Sequence, residues 1–194
     1  MEHSSNHWDL IVVGGGAAGF FTALQTAAAS YGSANILLLE KTSKTLGKVK
    51  ISGGGRCNVT HSCFDPKALT KHYPRGEKTL IGPFHHFQPT DMVTWLEKKG
   101  ITLKTEADGR MFPITDDSQT IINCLTQAAL DNGVTIQTSS EVTSIETSET
   151  DGYRYQIATK TGDLLEAKNI MIATGGTRLK SSSMLPASLG HDLL

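Results

Sequence analysis

Residues 9–40 read "DLIVVGGGAAGFFTALQTAAASYGSANILLLE". Asp9 to Val13 is a short apolar strand, followed by "GGGAAG" and by an alanine-rich segment, Ala17 to Ala29, of high helix propensity. Tyr31 to Ala34 makes a turn, and Ile36 to Leu39 is a fully apolar strand that ends at Glu40. The order strand, helix, strand within about 30 residues is a βαβ unit. Gly14-x-Gly16-x-x-Gly19 sits where the first strand passes into the helix. That spacing alone is a weak signal; its strength here comes from the strand before it, the helix after it and the acid beyond. Gly14 allows a tight turn, Gly16 lets a pyrophosphate approach the backbone, and Gly19 permits close packing of helix on strand. Ala17 and Ala18 place free N–H groups and the positive end of the helix dipole at the same point. Glu40, 21 residues beyond Gly19 and followed by Lys41, can accept hydrogen bonds from adenosine ribose hydroxyls. A carboxylate there repels a 2′-phosphate, so the dinucleotide expected is FAD or NAD rather than NADP.

The later chain separates those two. A doubly wound NAD dehydrogenase would continue with further βα units. Here the segment from about 139 to 168 alternates polar and apolar residues, with turns at "TDGY" and "KTGD", and reads as an antiparallel β-meander. "NIMIATGG" follows as an apolar strand running into a glycine turn, which brings Thr174, Gly175 and Gly176 back towards the cofactor. A meander in place of a crossover helix is the order expected of an FAD-binding fold. The fold class is therefore α/β, a Rossmann-like fold with a parallel sheet, a β-meander crossover and a small helical insertion at about 64–100. Within the insertion Pro66 to Tyr73 reads as one helix and "PTDMVTWLEKKG" as a clearer one, with Thr90 or Asp91 as its N-cap. "ITLKTEADGRMFPI" reads as strand, turn, strand, and Ser118 to Asp131 as a helix.

Residues 41–62 read as a loop, and it is basic and glycine-rich: "KVKISGGGRCNVTH" carries Lys48, Lys50 and Arg56 around Gly53-Gly54-Gly55. Three glycines in a row suit a sharp bend or a close approach, and clustered N–H groups make a potential anion nest. Lys48 or Arg56 could supply countercharge to a pyrophosphate, and Asn58 could bond the polar edge of a flavin ring. A solvated surface loop is the plain alternative.

Composition removes other classes. The chain has 194 residues, 18 basic and 19 acidic side chains and a formal net charge of −1, so no global basic field points to nucleic acid or a membrane surface. The opening "MEHSSNHWDL" lacks a signal-peptide pattern, and no apolar run reaches the roughly 20 residues of a bilayer span. Three cysteines without a CxxC pair argue against a disulfide framework. A cytoplasmic protein is expected. His85 and His86 are adjacent and the other histidines scattered, so no metal site is expected.

"GGGAAG…LLLEK…GKVKISGGGRCNVTH…GRMFP…IATGG" closely resembles the BaiN/YhiN-type bacterial NAD(P)/FAD-dependent oxidoreductases, also labelled aminoacetone-oxidase-like flavoproteins. The resemblance runs over nearly the whole chain from Trp8, and "ISGGGRCNVT" is its most specific element. It implies a non-covalent FAD, with Gly14, Gly16 and Gly19 at the pyrophosphate and Glu40 at the ribose. It also implies that Lys48, Ser52, Gly53, Gly54, Arg56, Cys57 and Asn58 lie along the pyrophosphate and flavin, and that the backbone of Val142 meets the adenine. NAD(P)H becomes a possible co-substrate. Such relatives continue into a second, largely β domain and a C-terminal segment that returns to the flavin, so this chain corresponds to their N-terminal half. Many relatives also carry a Gly-Asp-Gly turn after "ATGG" that is missing here.

The expected activity is hydride transfer at flavin N5 with a small-molecule substrate. The alternative is a non-catalytic FAD-binding fragment or split subunit, completed by a complementary C-terminal chain or prone to self-association. A lesser alternative is a thiol–disulfide flavoenzyme using Cys57 and Cys63, whose five intervening residues fit a helical redox pair poorly. No residue has the signature of an obligatory acid or base, and Arg110 is open between a structural and a substrate role.

Overall fold

The computed structural model describes residues 6–150, 152–176 and 180–192. In chain order the elements are β1 (His7–Val13), α1 (Ala17–Ala29), β2 (Ile36–Leu39), α2 (Gly47–Ile51), a 3₁₀ turn (Ser52–Gly55), β3 (Thr60–His61), α3 (Pro66–Thr70), α4 (Glu77–His86) and α5 (Pro89–Lys98). They continue with β4 (Leu103–Thr105), β5 (Arg110–Pro113), α6 (Ser118–Asp131), β6 (Thr135–Gln137), β7 (Val142–Thr150), β8 (Tyr153–Thr159), β9 (Leu164–Ile172) and α7 (Lys180–Ser188). Two compact units result: the chain up to Gly47 together with the chain from Leu125 onward, and Lys48–Cys124.

The first unit is built on a six-stranded sheet of order β6-β2-β1-β9-β8-β7. β6, β2, β1 and β9 run parallel, and β8 and β7 complete the sheet antiparallel. All four residues of β2 are buried, as are Leu10 to Val13 of β1, which is why both read as unbroken apolar runs. α1 buries Gly19, Phe20, Ala23, Leu24 and Ala27, the i, i+4, i+8 stripe and its neighbours. Burying a side chain of the size of Phe20 or Ile11 contributes about 1.5–3 kcal/mol. The helix stops in a Schellman turn: the Gly32 amide donates to the Ala27 carbonyl at 2.9 Å and that of Tyr31 to Ala28 at 3.1 Å, with φ values of 74° and 53°.

The meander and the following parallel strand are not separate elements. β9 alone does both jobs: Leu164 to Ala167 pair antiparallel with β8, while Glu166 to Ile172 pair parallel with β1. The change from a mixed to an apolar pattern near Asn169 reflects position along one strand rather than a break.

The second unit carries a three-stranded antiparallel sheet of order β3-β5-β4 and the helices α2 to α5. Leu69, Leu96, Met111 and Phe112 are buried in it. Residues 41–62, expected as loop, contain α2, the 3₁₀ turn and β3. α3 ends at Thr70 rather than Tyr73, and α4 forms although its sequence includes Gly82 and Pro83. The N-cap of α5 is Gln88, not Thr90 or Asp91. Pro89 occupies the first helical position, where its missing N–H is no loss, and the Asp91 carboxylate accepts from the Gln88 amide at 2.8 Å. α7 forms within the weakly patterned final stretch.

Candidate cofactor-binding site

In the first unit, Gly14 has φ +117°, and a Cβ there would lie 2.5 Å from the Ala173 carbonyl oxygen. The Ala173 amide in turn donates to the Val13 carbonyl at 2.8 Å. The glycine turn and the "ATGG" segment are therefore packed backbone against backbone. A Cβ on Gly19 would fall 2.0 Å from the Gly14 carbonyl, so α1 sits as close to the turn as main-chain atoms allow. Gly16 differs: it is the N-cap of α1, has no side-chain cap, and a Cβ there meets nothing within 4 Å. Ala17 and Ala18 are exposed. The first amide of α1 with a backbone acceptor is that of Phe20, which donates to Gly16 at 3.0 Å; among the described residues, those of Ala17, Ala18 and Gly19 have none. The result is an open recess with three N–H donors lacking backbone acceptors at the positive end of a helix, where negative charge is favoured.

Glu40 closes one side of this turn. Its Oε2 accepts from the Gly15 amide at 2.9 Å, and its Oε1 accepts from the Thr42 amide at 2.8 Å. The Thr42 hydroxyl lies 2.8 Å from both Glu40 Oε1 and the Lys44 carbonyl and has one proton to give. One lone-pair position of the carboxylate is left for a further donor when Thr42 gives its proton to Oε1, and two when it gives it to Lys44. Thr42 and Gly15 were not singled out from sequence; the signal was their place beside Glu40 and Gly14. Lys41 is exposed. The Ser140 amide donates to the Glu40 carbonyl, and that of Ser139 to Thr42, both at 2.9 Å, so the entry to β7, where Val142 stands, is tied to the end of β2.

In the second unit, Gly53, Gly54 and Gly55 have φ values of 57°, 69° and 87°, and Cys57 follows at 64°. A Cβ on Gly53 would lie 2.7 Å from the Phe112 ring and 2.9 Å from the Asn58 amide, whereas Gly54 is open. The bend thus packs on an aromatic ring supplied by "GRMFP". The guanidinium of Arg56 stacks on Phe112 at 4.1 Å from the ring centre and ion-pairs with Glu106, with Asp116 at 3.6 Å. Its Nε donates to the Gly53 carbonyl at 3.3 Å. The bonds to Glu106 and Asp116 hold the Arg56 charge above its ordinary pKa. Arg56 thereby braces the glycine bend. Lys104 pairs with Asp116, and Arg110 pairs with Asp108 at 2.7 Å while lying 5.5 Å from the Phe112 ring. Arg110 therefore has a structural place in this network.

Lys48 and Asn58 are exposed, and the Ser52 hydroxyl donates to the Val49 carbonyl at 2.9 Å. Cys57 is buried, and burial pushes its thiol pKa up, against a smaller opposing effect of the Ser52 hydrogen bond. A protonated thiol is a poor nucleophile at neutral pH. Sequence reasoning did not assign Glu106, Phe112 or Asp116 to this loop, because nothing local to residues 52–58 reveals partners 50 residues away.

The description of the HI0933-like protein Rossmann domain matches residues 8–185. The chain belongs to this family. Among its members' relatives, the ribosomal RNA dihydrouridine synthase of Escherichia coli (strain K12) is 30% identical over 179 residues, 92% of this chain and 42% of that protein. The 3-dehydro-bile acid delta(4,6)-reductase of Clostridium scindens is 26% identical over 188 residues, 94% of this chain and 44% of that protein. The chain thus spans about two fifths of the length of these curated relatives. Among solved structures, the 3-ketosteroid-Δ4-(5α)-dehydrogenase of Rhodococcus jostii RHA1 shares the fold with a TM-score of 0.69, at 16% identity, over 99% of this chain and 55% of that one. The HI0933-like chain is therefore a Rossmann domain, and it shares its fold with that dehydrogenase. No helix among its described residues is long and apolar enough to cross a membrane.

Proposed function

We propose that this chain is the FAD-binding portion of an oxidoreductase that saturates an activated carbon–carbon double bond. The observation that carries the reading is the recess at Gly16: a helix N-terminus with unpartnered amides at Ala17 to Gly19, open where a Cβ would stand. These residues fit a pyrophosphate. Gly14 and Gly19 hold the turn close, Glu40 has capacity left for ribose hydroxyls, and Val142 follows a segment bonded to Glu40 and Thr42. The loop residues Lys48, Ser52, Gly53, Gly54, Cys57 and Asn58, with Thr174 to Gly176, are proposed to contribute to the same cofactor on the strength of the sequence resemblance. Arg56 acts through the loop it braces.

Bound FAD would supply the two-electron chemistry, exchanging hydride at its N5. The chain's own share is to bind the cofactor and orient it. The kind of bond acted on is inferred from the curated relatives. Dihydrouridine is uridine saturated at one ring C=C, and a delta(4,6)-reductase removes unsaturation from a conjugated steroid. A uridine in ribosomal RNA is the substrate we propose, given the greater identity to the first relative. NAD(P)H is the proposed reductant. Because the chain spans about two fifths of those relatives, turnover is proposed for the whole protein and cofactor binding for this part of it. The buried, protonated Cys57 weighs against a dithiol mechanism.

The test is release and identification of the cofactor from purified protein, followed by anaerobic addition of NADH or NADPH. The expected result is a yellow protein that yields FAD and whose flavin band bleaches with either reductant. A colourless protein that fails to take up added FAD contradicts the reading.

A further inference from the structure

The second unit carries a surface that cofactor binding does not use. Residues 64–87 hold four basic side chains, Lys67, Lys71, Arg75 and Lys78, against two acidic ones, with His72, His85 and His86 among them. Every residue from Lys71 to Thr79 is exposed. α4 buries none of its residues, although it carries Leu80, Ile81 and Phe84. Tyr73 stays 41% exposed while its ring lies 5.5 Å from that of Phe84, and Phe64 is 47% exposed.

Charge compensation separates this surface from the network around the β4–β5 hairpin, although Lys48, Lys50, Lys98 and Lys99 of the same unit also lack an ion pair among the described residues. On and against the β4–β5 hairpin the cations are neutralised: Arg56 of the glycine bend by Glu106, Lys104 by Asp116, Arg110 by Asp108. Among the described residues, Lys67, Lys71, Arg75 and Lys78 have no carboxylate within 4 Å. Asp65 is engaged as the N-cap of α3, accepting from the Ala68 amide at 2.7 Å, and Glu77 lies in the first turn of α4. The whole chain is nearly neutral, at −1, so the local excess of positive charge is hidden in the total.

From this we infer that the α3–α4 surface binds single-stranded RNA, with Lys67, Lys71, Arg75 and Lys78 on phosphates and Tyr73 offering a stacking face to a base. Uncompensated cations release counterions on meeting a polyanion, and exposed aromatics anchored at one edge stack on bases of any sequence. The Tyr73–Phe84 contact holds such a platform in place. The inference rests on the polynucleotide substrate proposed above, and adds where on this chain that substrate is held. FAD uptake and RNA binding are measured separately, so failure of either is distinguishable.

The experiment titrates a transcribed ribosomal RNA fragment against FAD-supplemented protein at several salt concentrations, followed by fluorescence anisotropy. Three variants are compared with wild type: Lys71→Glu with Arg75→Glu, Tyr73→Ala, and a control of equal charge change, Arg154→Glu with Lys160→Glu. The Lys71/Arg75 pair is expected to weaken binding at least about ten-fold and to flatten the salt slope by about 1.4, two single-strand phosphate contacts. Tyr73→Ala is expected to weaken binding about five-fold or more without changing the slope. The control pair should change affinity by less than about three-fold, and FAD uptake should be the same in all four proteins. No RNA binding by FAD-loaded wild type, an equal loss in the control pair, or retention on phosphatidylserine vesicles without RNA binding would each overturn the inference.

Discussion

The two units both contain a run of glycines, and they use them differently. In the turn after β1, the glycines are demanded by main-chain atoms: the Ala173 carbonyl against Gly14 and the Gly14 carbonyl against Gly19. The one position that nothing fills, Gly16, faces a helix start whose amides lack acceptors. In the loop after α2, the bend at Gly53 is filled by a side chain, the Phe112 ring, and locked from outside by Arg56 and its carboxylates. The first is a frame of backbone, close-packed at Gly14 and Gly19 and open at Gly16, where the cofactor is proposed to lie. The second is a bend whose shape depends on a side-chain network some 50 residues distant in sequence. Substitutions should therefore act steeply and globally in the first and locally in the second.

The largest effect is expected from Gly19→Val. With a Cβ 2.0 Å from a carbonyl oxygen the helix must leave the sheet, at a cost above about 4 kcal/mol, and the protein should fail to fold, seen as loss of a cooperative thermal transition. Phe112→Ala comes next. It removes a fully buried ring and should cost about 3–4 kcal/mol, with hydrogen exchange rising within Lys48–Cys124 more than in β1 and β2. Equal exchange gains in both units would break the distinction drawn between them.

Glu106→Gln sharpens it further. The Arg56 brace should loosen, so Cys57, now buried with its thiol pKa raised, should react several-fold faster with a thiol reagent near pH 8. Unchanged reactivity would mean that the bend holds without the network.

The smallest effect lies in the first unit. The Lys168 hydrogen bond, and then the Asn35 amide, hold the Asp9 carboxyl below the ordinary carboxylate range. A depressed folded pKa gives stability that is present above the unfolded value, about 3.9, and is lost as pH falls through the folded one. Asp9→Asn should therefore cost no more than about 1 kcal/mol near pH 7 and flatten the acid side of the stability profile below about pH 4. Parallel profiles for variant and wild type would remove Asp9 from the account.

The same contrast explains what could be read from sequence. β1, α1 and β2 follow from local pattern, and the structure gives α1 and β2 the bounds that pattern predicts, because apolar runs, alanines and glycine spacing act over a few residues. β9 was divided in two because its composition changes where its partners do. α4 escaped notice because Gly82 and Pro83 lower its propensity and it buries no residue. The tight packing at Gly14 and Gly19 and the place of Glu40 beside the turn were legible, whereas the Arg56–Phe112–Glu106 brace was not. Arg56 was read as a countercharge for phosphate, and its bracing role came into view only with partners distant in sequence.

The most direct measurement is FAD affinity of Gly16→Ala beside wild type, by fluorescence titration, with thermal unfolding recorded on both. The added methyl meets no protein atom within 4 Å and sits at a φ of −87°, so the unfolding temperature should be nearly unchanged. The same methyl stands where the pyrophosphate is proposed to lie, so affinity should fall at least about ten-fold, or about 1.4 kcal/mol. Equal FAD affinity in two equally stable proteins would contradict the assignment of this turn to the cofactor.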